Sequence, residues 1–223
     1  MSLLVPRIEG VAEAVAQDVQ GHDDREDHEA GVERHPGRLR EVTLLEVFEG
    51  RRQLVAYYFM WHAGHPAAEQ CEGCTLYTAQ VRELSFLHSR DVTYATFCQG
   101  PYEEGVRYRE FMGWEMPWYS AQGHSLDTLL VGRRVGMMHL VCYLRQGSSV
   151  FETYWTTMRG VEVMGNSYAL LDLTVYGRQE TWEDSPTGWP RLNGEDNYRS
   201  DGRPIPQWSR LKAGRSDNLA ATR

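Results

Sequence analysis

A continuous apolar run of strand length restricts the possible folds of this chain more than any other feature. Residues 54–59 read Leu-Val-Ala-Tyr-Tyr-Phe, with no charged residue between them. A strand with one face in solvent alternates apolar and polar residues, so an unbroken run predicts a strand buried on both faces. Residues 92–97, Val-Thr-Tyr-Ala-Thr-Phe, are rich in β-branched and aromatic residues and predict a second strand. We therefore expect a central sheet covered on both sides.

Two helices are predicted around the second strand. The first begins near Cys71, and apolar residues recur at helical spacing as far as His88. The second begins at Pro101, which suits a first helical turn, and runs to about Met112. The chain therefore starts with the order β-α-β-α, which is typical of a parallel βαβ unit.

The sequence after the second helix predicts antiparallel strands that extend the sheet of this unit. A short strand is expected at residues 118–121. Strands at 138–144 and 150–155 are joined by a short Gly-containing connection that indicates a hairpin, and a last helix is expected over 161–171. A βαβ unit plus a β-hairpin makes an α/β domain with a mixed central sheet flanked by helices, which is the layout of the thioredoxin-like fold.

Composition and charge set the domain limits and the class of protein. We place one domain at residues 42–180, between an acidic N-terminal segment at 1–41 that we expect to be disordered and a Pro-, Gly- and Trp-containing C-terminal tail at 181–223. No apolar run approaches the ~20 residues of a bilayer span and no secretory signal is evident, so we expect a cytoplasmic protein without membrane contact. A net charge of −8 with no strongly basic segment disfavours nucleic-acid binding. The oligomeric state is not indicated.

The pair Cys71-Glu-Gly-Cys74 is the strongest functional signal because it lies at the start of the first domain helix. Free backbone N–H groups and the helix dipole stabilise a thiolate there. The spacing allows Cys74 to attack a mixed disulfide held on Cys71. Glu72 adds a negative charge beside Cys71 and is expected to raise the pKa of that thiol. The pattern predicts a redox-active dithiol.

A zinc site is an alternative for the same cysteines. His62, His65, Cys71 and Cys74 form two pairs with two-residue gaps, and these residue types suit tetrahedral zinc. The protein would then be a non-catalytic interaction module. A pair of cysteines that only packs in the core is a third interpretation.

Two further residues are possible auxiliaries of the dithiol. Cys98 ends the second strand, where chemistry gathers in open α/β sheets, and is either a second resolving thiol or a buried core cysteine. His139 is either a proton acceptor for a thiol or a structural histidine. Cys142 lies mid-strand and is expected in the core.

Several segments of the chain resemble one family. They are Leu-Glu-Val-Phe-Glu-Gly-Arg-Arg-Gln-Leu at 45–54, the cysteine pair, Ser-Arg-Asp-Val-Thr at 89–93, Phe-Met-Gly-Trp-Glu-Met-Pro-Trp at 111–118, and Leu-Leu-Asp-Leu-Thr at 170–174 running into Tyr-Gly-Arg at 176–178. In these segments the chain resembles the thioredoxin-like family catalogued as domain of unknown function 899, described as predicted dithiol-disulfide oxidoreductases.

The resemblance implies a thiol-disulfide oxidoreductase in which Cys71 attacks and Cys74 resolves. The partner would be a disulfide-containing protein or a small-molecule thiol, and no cofactor is expected unless the zinc alternative holds. The chain departs from thioredoxins at the position of their cis-proline before the third strand. Met138 or His139 stands there, which argues against peptide docking of the thioredoxin kind.

Overall fold

The computed structural model describes residues 15–18, 40–190 and 198–219, and a mixed sheet forms its centre. The strands of this sheet are β1 (Val15–Asp18), β2 (Arg40–Thr43), β3 (Gln53–Phe59), β4 (Val92–Cys98), β5 (Trp118–Ser120), β6 (His139–Gln146) and β7 (Ser149–Thr157). Their order across the sheet is β2-β1-β5-β4-β3-β6-β7. The βαβ unit and the hairpin are therefore both present.

The strand directions confirm the predicted α/β class. Strands β3, β4 and β5 are parallel, and β6 pairs antiparallel with β3 and with β7. The five predicted strands thus form a mixed sheet of the thioredoxin-like kind. In β3 all residues from Ala56 to Phe59 are buried, as the continuous apolar run predicted.

Helices cover both faces of the sheet. They are α1 (Leu44–Val47), α2 (Glu72–Gln80), α3 (Ser85–His88), α4 (Tyr102–Met112), α5 (His124–Leu129), α6 (Asn166–Leu171) and α7 (Trp208–Lys212), with 3₁₀ turns at Ala67–Glu69, Met158–Met164 and Ile205–Gln207. One core packs α1 and α5 on the face that carries Tyr58, and a second packs α2, α4 and α6 on the face that carries Tyr57 and both cysteines of the pair. Among the described residues, no helix is long and apolar enough to cross a bilayer.

Two predicted helices are shorter than their apolar spacing suggested. Helix α2 ends at Gln80 instead of continuing to His88, because Val81 has an extended backbone conformation, and a separate turn of helix follows at α3. The helix predicted over 161–171 is divided at Gly165 into a 3₁₀ turn and α6. The spacing of apolar residues does not detect such changes of backbone conformation.

The N-terminal segment contributes strands that its composition did not predict. The sequence indicated disorder over residues 1–41, yet β1 pairs antiparallel with both β2 and the edge of β5. Backbone pairing to an open sheet edge requires no apolar period, which is why the sequence pattern misses it. The remaining residues before Arg40 lie outside the described part of the chain.

The C-terminal tail returns to the dithiol face of the sheet. Its described residues form strands β8 (Arg199–Ser200) and β9 (Arg203–Pro204), a 3₁₀ turn and α7. Gln207 is fully buried and donates hydrogen bonds to the Ala67 carbonyl (2.7 Å) and the Tyr108 hydroxyl (2.8 Å). The tail is thus fixed beside the start of α2.

Candidate active site

The cysteine pair lies where the sequence placed it, at the first turn of a helix that follows a central strand. Cys71 is the N-cap of α2, and its sulfur accepts a hydrogen bond from the Cys74 N–H at 3.4 Å. The residue is 7 % exposed, whereas Cys74 is completely buried. A capping sulfur beside free amides is a position where negative charge is stabilised.

The surroundings lower the pKa of Cys71. The largest cause is the hydrogen bond from the Cys74 thiol, which favours the Cys71 thiolate over the burial that opposes it. The N–H groups of Cys74 and Gly73 act in the same direction, and the negative charge of Glu72 opposes them. Glu72 thus raises the pKa of Cys71, as predicted, but the hydrogen bonds from Cys74 lower that pKa by more.

The surroundings of Cys74 act in the opposite direction. Burial is the largest cause and raises the pKa of this thiol well above its ordinary value, and the neighbouring Cys71 raises it further. Two groups lower it, the Tyr57 hydroxyl and the Met60 N–H. The pair thus consists of one sulfur that favours the thiolate and one that holds its proton, which is the division of roles a dithiol exchange needs.

A chain of hydrogen bonds fixes the backbone of Cys71. The Thr75 hydroxyl donates to the Cys71 carbonyl at 2.7 Å, and the hydroxyls of Thr75 and Tyr108 are also 2.7 Å apart. Gln207 of the tail donates to Tyr108. Each hydroxyl in this chain can donate to the next acceptor, so a buried polar network joins the tail to Cys71.

The tail also covers the two residues between the cysteines. The Arg199 guanidinium forms an ion pair with the Glu72 carboxylate at 3.2 Å and donates to the carbonyls of Gln70 and Ala68. A Cβ added at Gly73 would lie 3.8 Å from the ring of Tyr198, so that ring packs directly on the turn. This contact was not predicted, because the two segments are 127 residues apart.

Cys98 has the surroundings of a core residue, whereas Cys142 is only partly buried and does not take the core position expected for it. Cys98 is completely buried under α4, since a Cβ added at Gly105 would lie 3.1 Å from its sulfur, and burial raises the pKa of its thiol. Burial also raises the pKa of Cys142. Among the described residues, no hydrogen bond joins either sulfur to the cysteine pair, so a resolving role of Cys98 stays a prediction.

His139 lies on the other face of the sheet. Its cross-strand neighbour in β3 is Tyr58, which belongs to the core opposite the dithiol. Its Nε2 lies 2.9 Å from the Arg134 carbonyl, and its Nδ1 accepts from the Trp155 indole N–H at 3.1 Å. Burial lowers the pKa of the ring. Successive strand residues alternate between the two faces of the sheet, and His139 lies on the face away from the cysteines. A role as proton acceptor for a thiol therefore does not fit its position.

The residues of the zinc alternative do not form a ligand set. His62 Nδ1 lies 3.0 Å from the Glu69 carbonyl, and His65 Nδ1 lies 2.8 Å from the Glu69 carboxylate. Within the described ranges, no group of three or more His, Cys, Asp or Glu side chains is arranged to hold a metal ion. The sequence spacing suited zinc, but the imidazoles are directed to Glu69 and one of the two thiols is completely buried.

Sequence reasoning missed Thr75, Tyr108 and Arg199 as neighbours of the dithiol, and no local pattern in the sequence indicates them. The aromatic residues that the sequence places near the pair could line a substrate groove, but they are core residues and each is at most 8 % exposed: Tyr57, Trp61, Tyr77, Trp114 and Trp118.

Comparisons with known proteins agree with the segments that carried the resemblance. The model of a family described as "Bacterial protein of unknown function (DUF899)" matches residues 34–198. No curated protein matches the chain. A solved structure of thioredoxin from Wuchereria bancrofti has 14 % sequence identity and a TM-score of 0.36, and the alignment covers 58 % of this chain and 81 % of that one.

Proposed function

The chain belongs to the DUF899 family of bacterial proteins of unknown function, and from the chemistry of its cysteine pair we propose that it is a thiol-disulfide oxidoreductase. The observation that carries the proposal is the contrast between the two sulfurs. Cys71 caps α2 with a lowered pKa and a small exposed fraction, whereas Cys74 is enclosed with a raised pKa. Only the thiolate is a nucleophile, so Cys71 is the attacking residue.

The reaction proceeds through a mixed disulfide. The Cys71 thiolate attacks one sulfur of a substrate disulfide, whose S–S bond breaks and releases the other half as a thiolate that takes up a proton. Cys74 then loses its proton and attacks the Cys71 sulfur, which releases the second half as a thiol. The substrate is reduced to two thiols and the protein is oxidised to a Cys71–Cys74 disulfide. A dithiol or low-mass thiol donor returns the protein to its reduced form.

The substrate is proposed as a disulfide-containing protein or a small-molecule disulfide. Only 7 % of Cys71 is exposed, and Arg199 and Tyr198 cover the turn between the cysteines. These side chains hinder the approach of a small-molecule disulfide less than that of a disulfide in a folded protein. Oxidised glutathione is therefore the first substrate to test.

The test is the formation and use of the disulfide. Mild oxidation should produce an intramolecular Cys71–Cys74 bond that reductant reverses, detected by peptide mass spectrometry. Cys71→Ser should lower the reduction of oxidised glutathione at least a hundredfold, and Cys74→Ser should accumulate the mixed disulfide on Cys71. Cys142→Ser is the matched control and should retain the activity. Full activity in both single variants of the pair would contradict the proposal.

A further inference from the structure

The hydroxyl of Tyr57 is buried without a hydrogen-bond partner beside the cysteine pair. The side chain is completely enclosed, and its oxygen makes no hydrogen bond within normal distance and angle. Buried hydroxyls are satisfied in most proteins, so this one requires an explanation. Tyr57 and Cys74 pack in the same buried core cluster, and each of the two groups alters the pKa of the other.

The next residue along the strand shows that β3 can satisfy a buried tyrosine. Tyr58 is also completely buried, and its hydroxyl lies 2.8 Å from the Tyr143 hydroxyl. Because successive strand residues point to opposite faces, Tyr58 lies in the core away from the cysteines. The unpartnered hydroxyl is thus found on the dithiol face.

We propose that the Tyr57 hydroxyl donates a hydrogen bond to the Cys74 thiolate that forms when the mixed disulfide on Cys71 is resolved. This inference rests on the proposed thiol-disulfide exchange and assigns a donor to its second step. In the reduced protein the Cys74 thiol donates to Cys71. Once Cys71 carries the substrate, its sulfur no longer bears a negative charge, and Cys74 must ionise in a completely buried position.

The protein supplies two donors for that charge. The Met60 N–H and the Tyr57 hydroxyl both favour the ionised form of Cys74. Burial raises the pKa of Tyr57 well above its ordinary value, so the tyrosine stays protonated and acts as a donor. The Cys74 proton goes to the solvent, in which a released substrate thiolate of ordinary basicity takes it up. The electron pair of the Cys74 sulfur forms the new S–S bond, and the bond between Cys71 and the substrate breaks. A preorganised donor of this kind lowers the barrier where the charge develops.

The test separates the two steps with 5,5′-dithiobis(2-nitrobenzoate). Rapid mixing with the reduced protein should release one coloured thiolate when Cys71 attacks and a second when Cys74 resolves, and mass spectrometry of quenched samples identifies the intermediate adduct. Tyr57→Phe should leave the first rate within about twofold and slow the second by about tenfold to a hundredfold, because removal of one buried donor costs up to 10²–10³ in other enzymes. Its melting temperature should be unchanged or higher, since the variant removes an unsatisfied hydroxyl.

Tyr58→Phe is the matched control. It should change neither rate by more than about twofold and should lower the melting temperature, because the Tyr143 hydroxyl loses its 2.8 Å hydrogen bond to Tyr58 and keeps the longer one of 3.4 Å to the Leu129 carbonyl. Resolution by Tyr57→Phe at the wild-type rate would overturn the inference while leaving the proposed function intact, and so would an equal slowing of both steps. A wild-type protein that never releases the second thiolate would overturn both.

Discussion

At the scale of single residues, the charge on Glu72 and its partner Arg199 changes the pKa of Cys71 in addition to the larger effect of the hydrogen bonds from Cys74. Glu72 raises the pKa of Cys71, and Arg199 forms an ion pair with that carboxylate. Both partners are partly exposed, so the pair contributes at most about 1 kcal/mol. Arg199 therefore moderates the effect of Glu72 without removing it.

The two charges should have opposite effects when they are neutralised. Glu72→Gln should lower the pKa of Cys71 and make the reduction potential less negative, because a stabilised thiolate favours the reduced form. Arg199→Gln should raise that pKa and slow alkylation by iodoacetamide at pH 7 by about two- to fivefold, which corresponds to about 0.5–1 kcal/mol. In the wild type, alkylation should fall as the pH drops through a midpoint below 9.0, the ordinary value for the thiol.

The measurement is the pH dependence of the Cys71 alkylation rate, followed by mass spectrometry. Arg90→Gln, an exposed charge at the end of α3, is the control and should behave as the wild type. A faster reaction in Arg199→Gln would mean that shielding of Cys71 outweighs the charge effect.

At the scale of elements, the start of α2 is held by the polar network that enters from the tail. Gln207 in the 3₁₀ turn before α7 connects through Tyr108 and Thr75 to the Cys71 carbonyl. The pattern of the sequence identified α2 and the cysteines at its start, because helix N-termini and C-x-x-C spacing are local features. It did not identify the network, whose members come from three separate elements.

Gln207→Ala should destabilise the protein by about 1–3 kcal/mol, because it leaves the Ala67 carbonyl and the Tyr108 hydroxyl without this buried donor. The measurement is the midpoint of urea denaturation at constant m-value. Ser209→Ala, at an exposed position in α7, should stay within about 0.5 kcal/mol of the wild type. Equal stability of the two variants would show that the tail is not docked as described.

At the scale of the whole molecule, the sheet extends beyond the predicted domain. Strand β1 pairs with β2 and with β5, so it closes an edge that residues 42–180 alone would leave open. Disorder, which the sequence predicted for the N-terminal segment, would make its removal almost without effect on stability. Because β1 pairs with two other strands, we expect its removal to destabilise the protein.

Removal of residues 1–39 should lower the melting temperature by about 2–8 °C. We expect a loss of about 1–2 kcal/mol from the strand pairing, and each kcal/mol shifts the midpoint by about 2–4 °C in a chain of this size. Calorimetry measures the change. A truncation of residues 1–14, which keeps β1, is the control, and identical melting of the two truncations would contradict a structural role for β1.

The sequence by itself determined the order of the central strands along the chain and the position of the dithiol after the first of them. Burial on both faces produces the continuous apolar run in β3, and a cysteine pair after such a strand falls at a helix N-terminus. Both properties are local, so neighbouring residues are sufficient to reveal them.

Only the tertiary structure decided what surrounds the cysteines. Alternation along the strands sends His139 to the far face and directs Tyr57 to Cys74, and the choice of face depends on packing against other elements. Arg199 reaches Glu72 across 127 residues because the tail folds back on α2. Such contacts depend on the path of the whole chain through space, and no spacing within a short segment encodes them.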